Sequence, residues 1–148
     1  MKNKKVAILG KLDTKFKAPF DDESYDIWAF NKHLDEHLLK RVDKWFDIHI
    51  EPENPEAEIK NKDFPFEDLI NLVGGKYFNN TVSWLIAYAI FKGYKEILLY
   101  GMRFYTDFEW RRGEYYNVRE LMFFAKGKGI KIDAPSDDVM VKEYELYM

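Results

Sequence analysis

Short apolar runs alternate along this chain with segments of helical spacing, and this alternation is what most constrains the fold. The runs occupy residues 4–10, 26–31, 44–50, 96–102 and 130–134, and the first two end at Gly10 and Asn31. Runs of this kind are typical of strands buried on both faces of a parallel sheet, with helices in the crossovers. The pattern predicts one Rossmann-like α/β domain over residues 1–148, a three-layer sandwich with a mostly parallel five-stranded sheet.

Helical spacing of apolar residues is clearest at residues 80–92, where Asn80 is suited to cap the first turn and Gly93 to end the helix. Weaker patterns predict further helices, which we assign to residues 32–42, 66–73, 114–127 and 136–148. Three prolines interrupt residues 51–65, so we expect the longest loop there and the segment most suited to act as a mobile flap.

Composition excludes several classes of function. The net charge of −3 argues against a protein that grips a nucleic acid polymer through its phosphates. No apolar stretch is long enough for a membrane helix, so we expect no membrane partner and a cytoplasmic location. The chain has no Cys, and 18% of its residues are aromatic. A chain with so many aromatic side chains is expected to bury some of them against another copy of itself, which favours a homo-oligomer.

Ligands of parallel sheets bind at the carboxyl ends of the strands, which directs attention to residues 10–14, 31, 49 and 101–105. The start of the helix at residues 79–83 adds amides and hydroxyls suited to an anion. From these segments and the arginines that follow them, we predict a set of ligand-binding residues: Gly10, Lys11, Asp13, Thr14, Asn31, His49, Asn80, Thr81, Ser83, Gly101, Arg103, Tyr105, Arg111, Arg112 and Tyr116.

Conventional catalytic motifs are missing from the sequence. Neither a dinucleotide fingerprint nor a phosphate-binding P-loop motif is present, and we expect no cofactor. His33 and His37 have the spacing of metal ligands, but we interpret them as an exposed helix face and expect no metal site. Asp47 and His49 share one face of a strand, so they could form a carboxylate–histidine pair. With Glu109, they are the candidate catalytic residues.

Residues 78–105 resemble the core of bacterial sialyltransferases that use a CMP-activated sugar. The resemblance rests on the Thr- and Ser-containing helix start, the join Gly-Tyr-Lys-Glu-Ile at 93–97, and the strand exit at Gly101. Over nearly its full length, the chain is also similar to small proteins of tailed phages. That similarity rests on five segments, at residues 18–22, 25–31, 41–49, 93–101 and 127–132.

The resemblance implies that a nucleotide lies against residues 10–14, Asn31, the region of His49, and residues 81–83. The sequence departs from the family in three places. Gly-Lys-Leu-Asp-Thr replaces the family's phosphate loop at residues 10–14, Arg103 replaces an Asp, and no His follows His49. These departures favour nucleotide binding without the transferase reaction.

Three functions therefore compete. The first is non-catalytic binding of a nucleotide-derived small molecule, such as a phage protein that sequesters an immune signal nucleotide in the host cytoplasm. The second is a trimmed glycosyltransferase-like or nucleotide-cleaving enzyme. The third is a protein-interaction module that uses the aromatic segment at residues 100–116. We favour the first.

Overall fold

A computed structural model of the protein describes residues 4–102 and 109–135, and of residues 109–112 it describes the backbone alone. The predicted helix at 136–148 lies outside this range, as do Arg103 and Tyr105. The side chains of Glu109, Arg111 and Arg112 are likewise outside the description.

The centre of the fold is a six-stranded sheet in which every neighbouring pair of strands is parallel. The strands are β1 (Lys4–Leu9), β2 (Tyr25–Phe30), β3 (Lys44–Asp47), β4 (Ile59–Lys60), β5 (Tyr94–Tyr100) and β6 (Lys131–Asp133). Their spatial order is β4-β3-β2-β1-β5-β6. The predicted α/β fold with a parallel sheet is confirmed, but the sheet has six strands and not five. The additional strand is the two-residue β4, inside the predicted loop at 51–65.

Three α-helices pack on one face of the sheet: α1 (Phe66–Val73), α2 (Thr81–Phe91) and α3 (Glu109–Gly127). The predicted helix at 66–73 is confirmed, and α2 lies within the predicted 80–92. Helix α2 lies between α1, α3 and the sheet, so most of its residues are buried. None of the helices in the described part of the chain is long and apolar enough to cross a membrane.

An aromatic cluster fills the space between the sheet and α2. The Trp28 ring lies 5.0 Å from the Phe46 ring and 5.6 Å from the Tyr88 ring, and Phe64 stacks on Tyr88 at 5.2 Å. Rings of this size bury much apolar area per residue, which lets a short chain form a stable core. The opposite face carries a smaller cluster, built on Ala7, Leu9, Ile27 and Tyr100. Short 3-10 helices at Asp13–Lys17 and Glu36–Leu38 lie in the connections that follow β1 and β2.

The prediction of a helix at residues 32–42 is wrong, because the segment contains only the 3-10 turn at Glu36–Leu38. The Leu34 side chain, which suggested helical spacing, is 92% exposed. Side-chain hydrogen bonds instead connect the end of this segment to β2 and to the residues before it. Arg41 donates to the carbonyl oxygens of Phe20, Asp22 and Tyr25, and Asp43 accepts the amide of Ile27 at 2.7 Å. These bonds satisfy backbone groups that a helix would have left to water.

The order of the strands reverses between β1 and β5, where two glycines bring the backbones together. The amide of Gly10 donates to the Tyr100 carbonyl at 2.7 Å, and that of Leu12 to the Gly101 carbonyl at 3.1 Å. A Cβ on Gly10 would lie 2.3 Å from the Gly101 oxygen, and Gly101 has a φ of 71°. Only glycine suits either position.

We therefore expect Gly10→Ala to lower the free energy of unfolding by roughly 1–3 kcal/mol, because the added methyl group overpacks a contact between two backbones. Urea unfolding measures the loss. Gly127→Ala is the matched control, since Gly127 is helical and its Cβ would meet no atom within 4 Å. Equal stabilities of the Gly10 variant and the wild type would contradict the role given to this contact.

Candidate functional site

A cavity of about 490 Å³ lies at the carboxyl ends of the central strands, beside the first turn of α2. Its volume is in the range of small-molecule sites, roughly 300–1,000 Å³. It covers the point where the strand order reverses, which is where parallel sheets hold their ligands. Seven of the predicted ligand-binding residues line it: Gly10, Lys11, Asn31, His49, Asn80, Thr81 and Gly101.

Seven further residues line the cavity without having been predicted individually. Four lie within segments that the sequence had indicated: Leu12, Asn79, Val82 and Met102. The other three are Phe30, Glu53 and Glu114. Phe30 is the last residue of β2, and the loop after β3 brings Glu53 to the rim. The position of that loop directly after a strand was the one signal for Glu53.

Four predicted residues lie elsewhere. Asp13 and Thr14 belong to the 3-10 helix after β1, where the Thr14 hydroxyl accepts the amide of Gly101 at 3.1 Å. Ser83 is buried and its amide donates to the Asn80 side chain at 3.0 Å. Tyr116 is on an exposed part of α3. Thr14 and Ser83 therefore hold the walls of the cavity in place without lining it.

The first turn of α2 has two amide groups left for a ligand. The side chain of Asn80 caps the amide of Ser83, and its carbonyl accepts the amide of Trp84 at 3.4 Å. The amides of Thr81 and Val82 have no hydrogen-bond partner within residues 4–102 and 109–135. Both residues line the cavity. Free amides at the start of a helix favour a negatively charged group.

Asn31 lines the cavity, and its side-chain acceptor is unpaired within the described part of the chain. Its φ of 60° is unusual for a residue other than glycine. Its carbonyl accepts the Trp45 indole at 2.5 Å and the Asn54 carboxamide at 3.3 Å. Its Oδ1 is buried and has no partner among the described residues. An unpaired buried acceptor costs about 1–3 kcal/mol.

Asp47 and His49 form the carboxylate–histidine pair that the sequence suggested. The Asp47 carboxylate is fully buried, and its Oδ1 lies 2.8 Å from Nδ1 of His49. The same carboxylate accepts the amide of His49 at 3.2 Å and that of Asn54 at 2.8 Å. These bonds turn the chain away from the sheet, which is why β3 ends at Asp47 and not at residue 50. The imidazole is 45% exposed and lines the cavity.

A buried lysine, Lys15, forms hydrogen bonds that fix the loop after β1. The Lys15 ammonium is fully buried and lies 2.5 Å from Oδ1 of Asp35, 2.9 Å from Nδ1 of His33 and 3.3 Å from the Lys11 carbonyl. Hydrogen bonds to a charged group are stronger than neutral ones, so this ammonium fixes Lys11 at the cavity rim. The same bonds keep the pKa of Asp35 below its usual value.

His33 is therefore not on an exposed helix face, as we had predicted. It is 2% exposed and follows β2 without a helix. Burial, and then the charge of Lys15, lower the pKa of His33 to about 4. The neutral ring accepts the lysine proton at Nδ1, so its own proton is on Nε2. His33 and His37 do not form a metal site, and no cluster of metal-ligating side chains occurs in the described part of the chain.

Comparisons of the chain with protein-family models, with curated proteins and with solved structures give no match. Fold and site together define an α/β protein of Rossmann-like architecture with a cavity of small-molecule size at the switch in strand order. The similarity to sialyltransferases and phage proteins stays a prediction, and the function has to be argued from the cavity.

The low pKa of His33 predicts a specific dependence of stability on pH. Between about pH 6.5 and 4 the unfolded chain binds a proton at His33 that the folded chain does not, so stability falls as the pH falls. The slope reaches about 1.4 kcal/mol per pH unit. His33→Gln keeps an acceptor for Lys15 and should remove this part of the slope, as measured by urea unfolding from pH 4 to 8. The exposed His37→Gln should keep it. Equal slopes in wild type and His33→Gln would contradict the assignment.

Proposed function

We propose that the cavity binds a phosphate-bearing small molecule of the nucleotide class. The observation that carries the proposal is a cavity of ligand size at the switch in strand order, lined by Thr81 and Val82 of α2, whose amides have no hydrogen-bond partner among the described residues. Phosphate oxygens are strong acceptors with negative charge, which matches both the free N–H groups and the positive end of the helix dipole.

The remaining walls of the cavity fit the rest of such a molecule. Phe30, Val82 and Met102 provide apolar lining and are themselves well packed. Asn31 and Asn79 add polar side chains to the wall, which suit a sugar hydroxyl or the exocyclic amine of a base. A wall that combines apolar side chains with fixed polar groups is typical of small-molecule sites.

The rim of the cavity contains a lysine whose present ion pair a ligand could replace. Lys11 pairs with Glu53 at 3.1 Å, and both side chains are about half exposed. Exposed ion pairs contribute at most about 1 kcal/mol, so a phosphate could take over Lys11 at little cost. The backbone of Lys11 stays anchored by Lys15 while its side chain is free to change partner.

Native mass spectrometry tests the proposal with a panel of AMP, CMP, GMP, UMP, their 3′,5′-cyclic forms, UDP-glucose and ADP-ribose. We expect at least one member of this panel to bind and to be released by denaturation. A ligand released intact would also fit the sequestration predicted from the sequence. Binding of none of them would overturn the proposal, and the masses of the ligand-free protein would then report its oligomeric state.

Thr81→Pro tests the position of the phosphate. Thr81 is the first residue of α2, where proline is tolerated, and Asn80 has the extended backbone that proline requires before it. The change removes one free amide, so affinity for the panel member that binds should fall by about 10-fold to 100-fold.

Thr81→Ala is the matched control, because it removes the hydroxyl and keeps the amide. Isothermal titration calorimetry compares the two variants with the wild type, and circular dichroism verifies the helix content. Equal affinities of the proline and alanine variants would show that the phosphate does not bind the start of α2.

A further inference from the structure

We propose that Asp47 and His49 act as a general-base pair, and that the cavity hydrolyses a phosphoanhydride bond of its ligand. This inference rests on the proposed nucleotide binding and adds a reaction to it. The substrate class is a nucleotide in which a second group is attached through a pyrophosphate link, as in a nucleoside diphosphate sugar.

The geometry of the pair is that of a histidine prepared to accept a proton. With Nδ1–H donated to Asp47 at 2.8 Å, the imidazole has one tautomer and a fixed ring orientation. The nitrogen left as acceptor is Nε2, and it has no partner among the described residues. A buried carboxylate on Nδ1 also stabilises the imidazolium that forms when Nε2 takes up a proton.

A purely structural role does not account for this arrangement. The turn after β3 is already held by the amides of His49 and Asn54, which donate to the two oxygens of the Asp47 carboxylate. The imidazole adds a further donor from a ring that is 45% exposed. Both oxygens of that carboxylate already accept an amide without the ring. The effect of the added bond is to hold a titratable ring against the wall of the cavity.

The reaction balances with this one base. Nε2 of His49 removes a proton from water, and the water oxygen forms a bond to phosphorus. The bridging P–O bond breaks, and its electron pair leaves with the second phosphate. The proton then passes from His49 to solvent. A phosphate is a stable leaving anion that needs no proton donor, which is why a phosphoanhydride suits a site with one histidine base.

The other side of the cavity would stabilise the charge that develops on the attacked phosphate. The free amides of Thr81 and Val82 belong to the same cavity as His49. Fixed amide donors that act on developing negative charge are among the largest contributions to catalysis. Base and donors therefore come from different elements, the loop after β3 and the first turn of α2, around one cavity.

The experiment incubates the protein with UDP-glucose or ADP-ribose in H₂¹⁸O and follows the products by chromatography and mass spectrometry. We expect two phosphate monoesters, one of which contains ¹⁸O. His49→Ala should lower kcat by about 10²-fold to 10⁴-fold, and added imidazole should restore part of the loss. Asp47→Asn should lower kcat as well, with its fold checked by circular dichroism. His37→Ala is the matched control, because His37 is exposed and does not line the cavity.

The outcomes separate catalysis from binding. Binding of a pyrophosphate-containing ligand without any ¹⁸O-labelled product would overturn the reaction and leave the proposed binding intact. Turnover with an unchanged kcat and a raised KM in His49→Ala would also overturn it, because His49 would then contribute to binding alone. An absence of rescue by imidazole would count against proton transfer at this ring. Failure of the whole nucleotide panel to bind would remove the proposed function itself.

Discussion

The contact between Gly10 and Gly101 is the constraint on which the rest of the structure depends. β1 and β5 are neighbours at the centre of the sheet, although most of the chain separates them in sequence. Because a glycine directly follows each strand, their exits can approach to backbone contact, with the Gly10 amide on the Tyr100 carbonyl. The chain then leaves the sheet in two directions, and both glycines line the cavity there. A Cβ at either position would collide with backbone atoms of the other exit.

The two faces of the sheet are stabilised by different means. Three α-helices and a continuous group of aromatic rings cover one face. The connections after β1 and β2 have only 3-10 turns, and charged side chains anchor them through Arg41 and Lys15. Hydrogen bonds from these cations to carbonyl oxygens take the place of regular helical bonds. The face covered by α-helices therefore contributes the amides of α2 to the cavity. The face whose connections are anchored by Arg41 and Lys15 contributes the loop at Lys11.

The periodicity of apolar residues predicted those helices in which the local sequence pattern matches the burial of the side chains in the core. Helix α1 has the predicted bounds and α2 lies within one residue of them, because apolar spacing and burial coincide there, with Gly74 to end α1 and Asn80 to cap α2. The segment 32–42 has equally good leucine spacing, yet it forms only a 3-10 turn, and the tertiary bonds of Arg41 and Asp43 fix the chain at its end. No local pattern reveals such bonds, since their partners lie about 16 to 21 residues away.

The site was predicted through topology more than through motifs. Strand ends led to Gly10, Asn31, His49 and Gly101, and the spacing of two residues on one strand led to the Asp47–His49 pair. The unpaired Oδ1 of Asn31 could not be predicted, because it follows from the backbone at φ 60° and from bonds with distant residues. Burial of Lys15 and His33 was likewise invisible, since each polar side chain is buried only because the other is its partner.

The loop at residues 51–65 connects the parts of this site into one unit. It was predicted as a flap, yet the Asn54 amide donates to Asp47 and the Asn54 side chain donates to the Asn31 carbonyl. Its neighbour Glu53 pairs with Lys11 on the opposite rim. A ligand that displaces Glu53 from Lys11 would therefore act on the residue beside the one that fixes Asp47. Because Asp47 in turn orients His49, binding at the proposed phosphate end and orientation of the proposed base would be coupled through two consecutive residues of one loop.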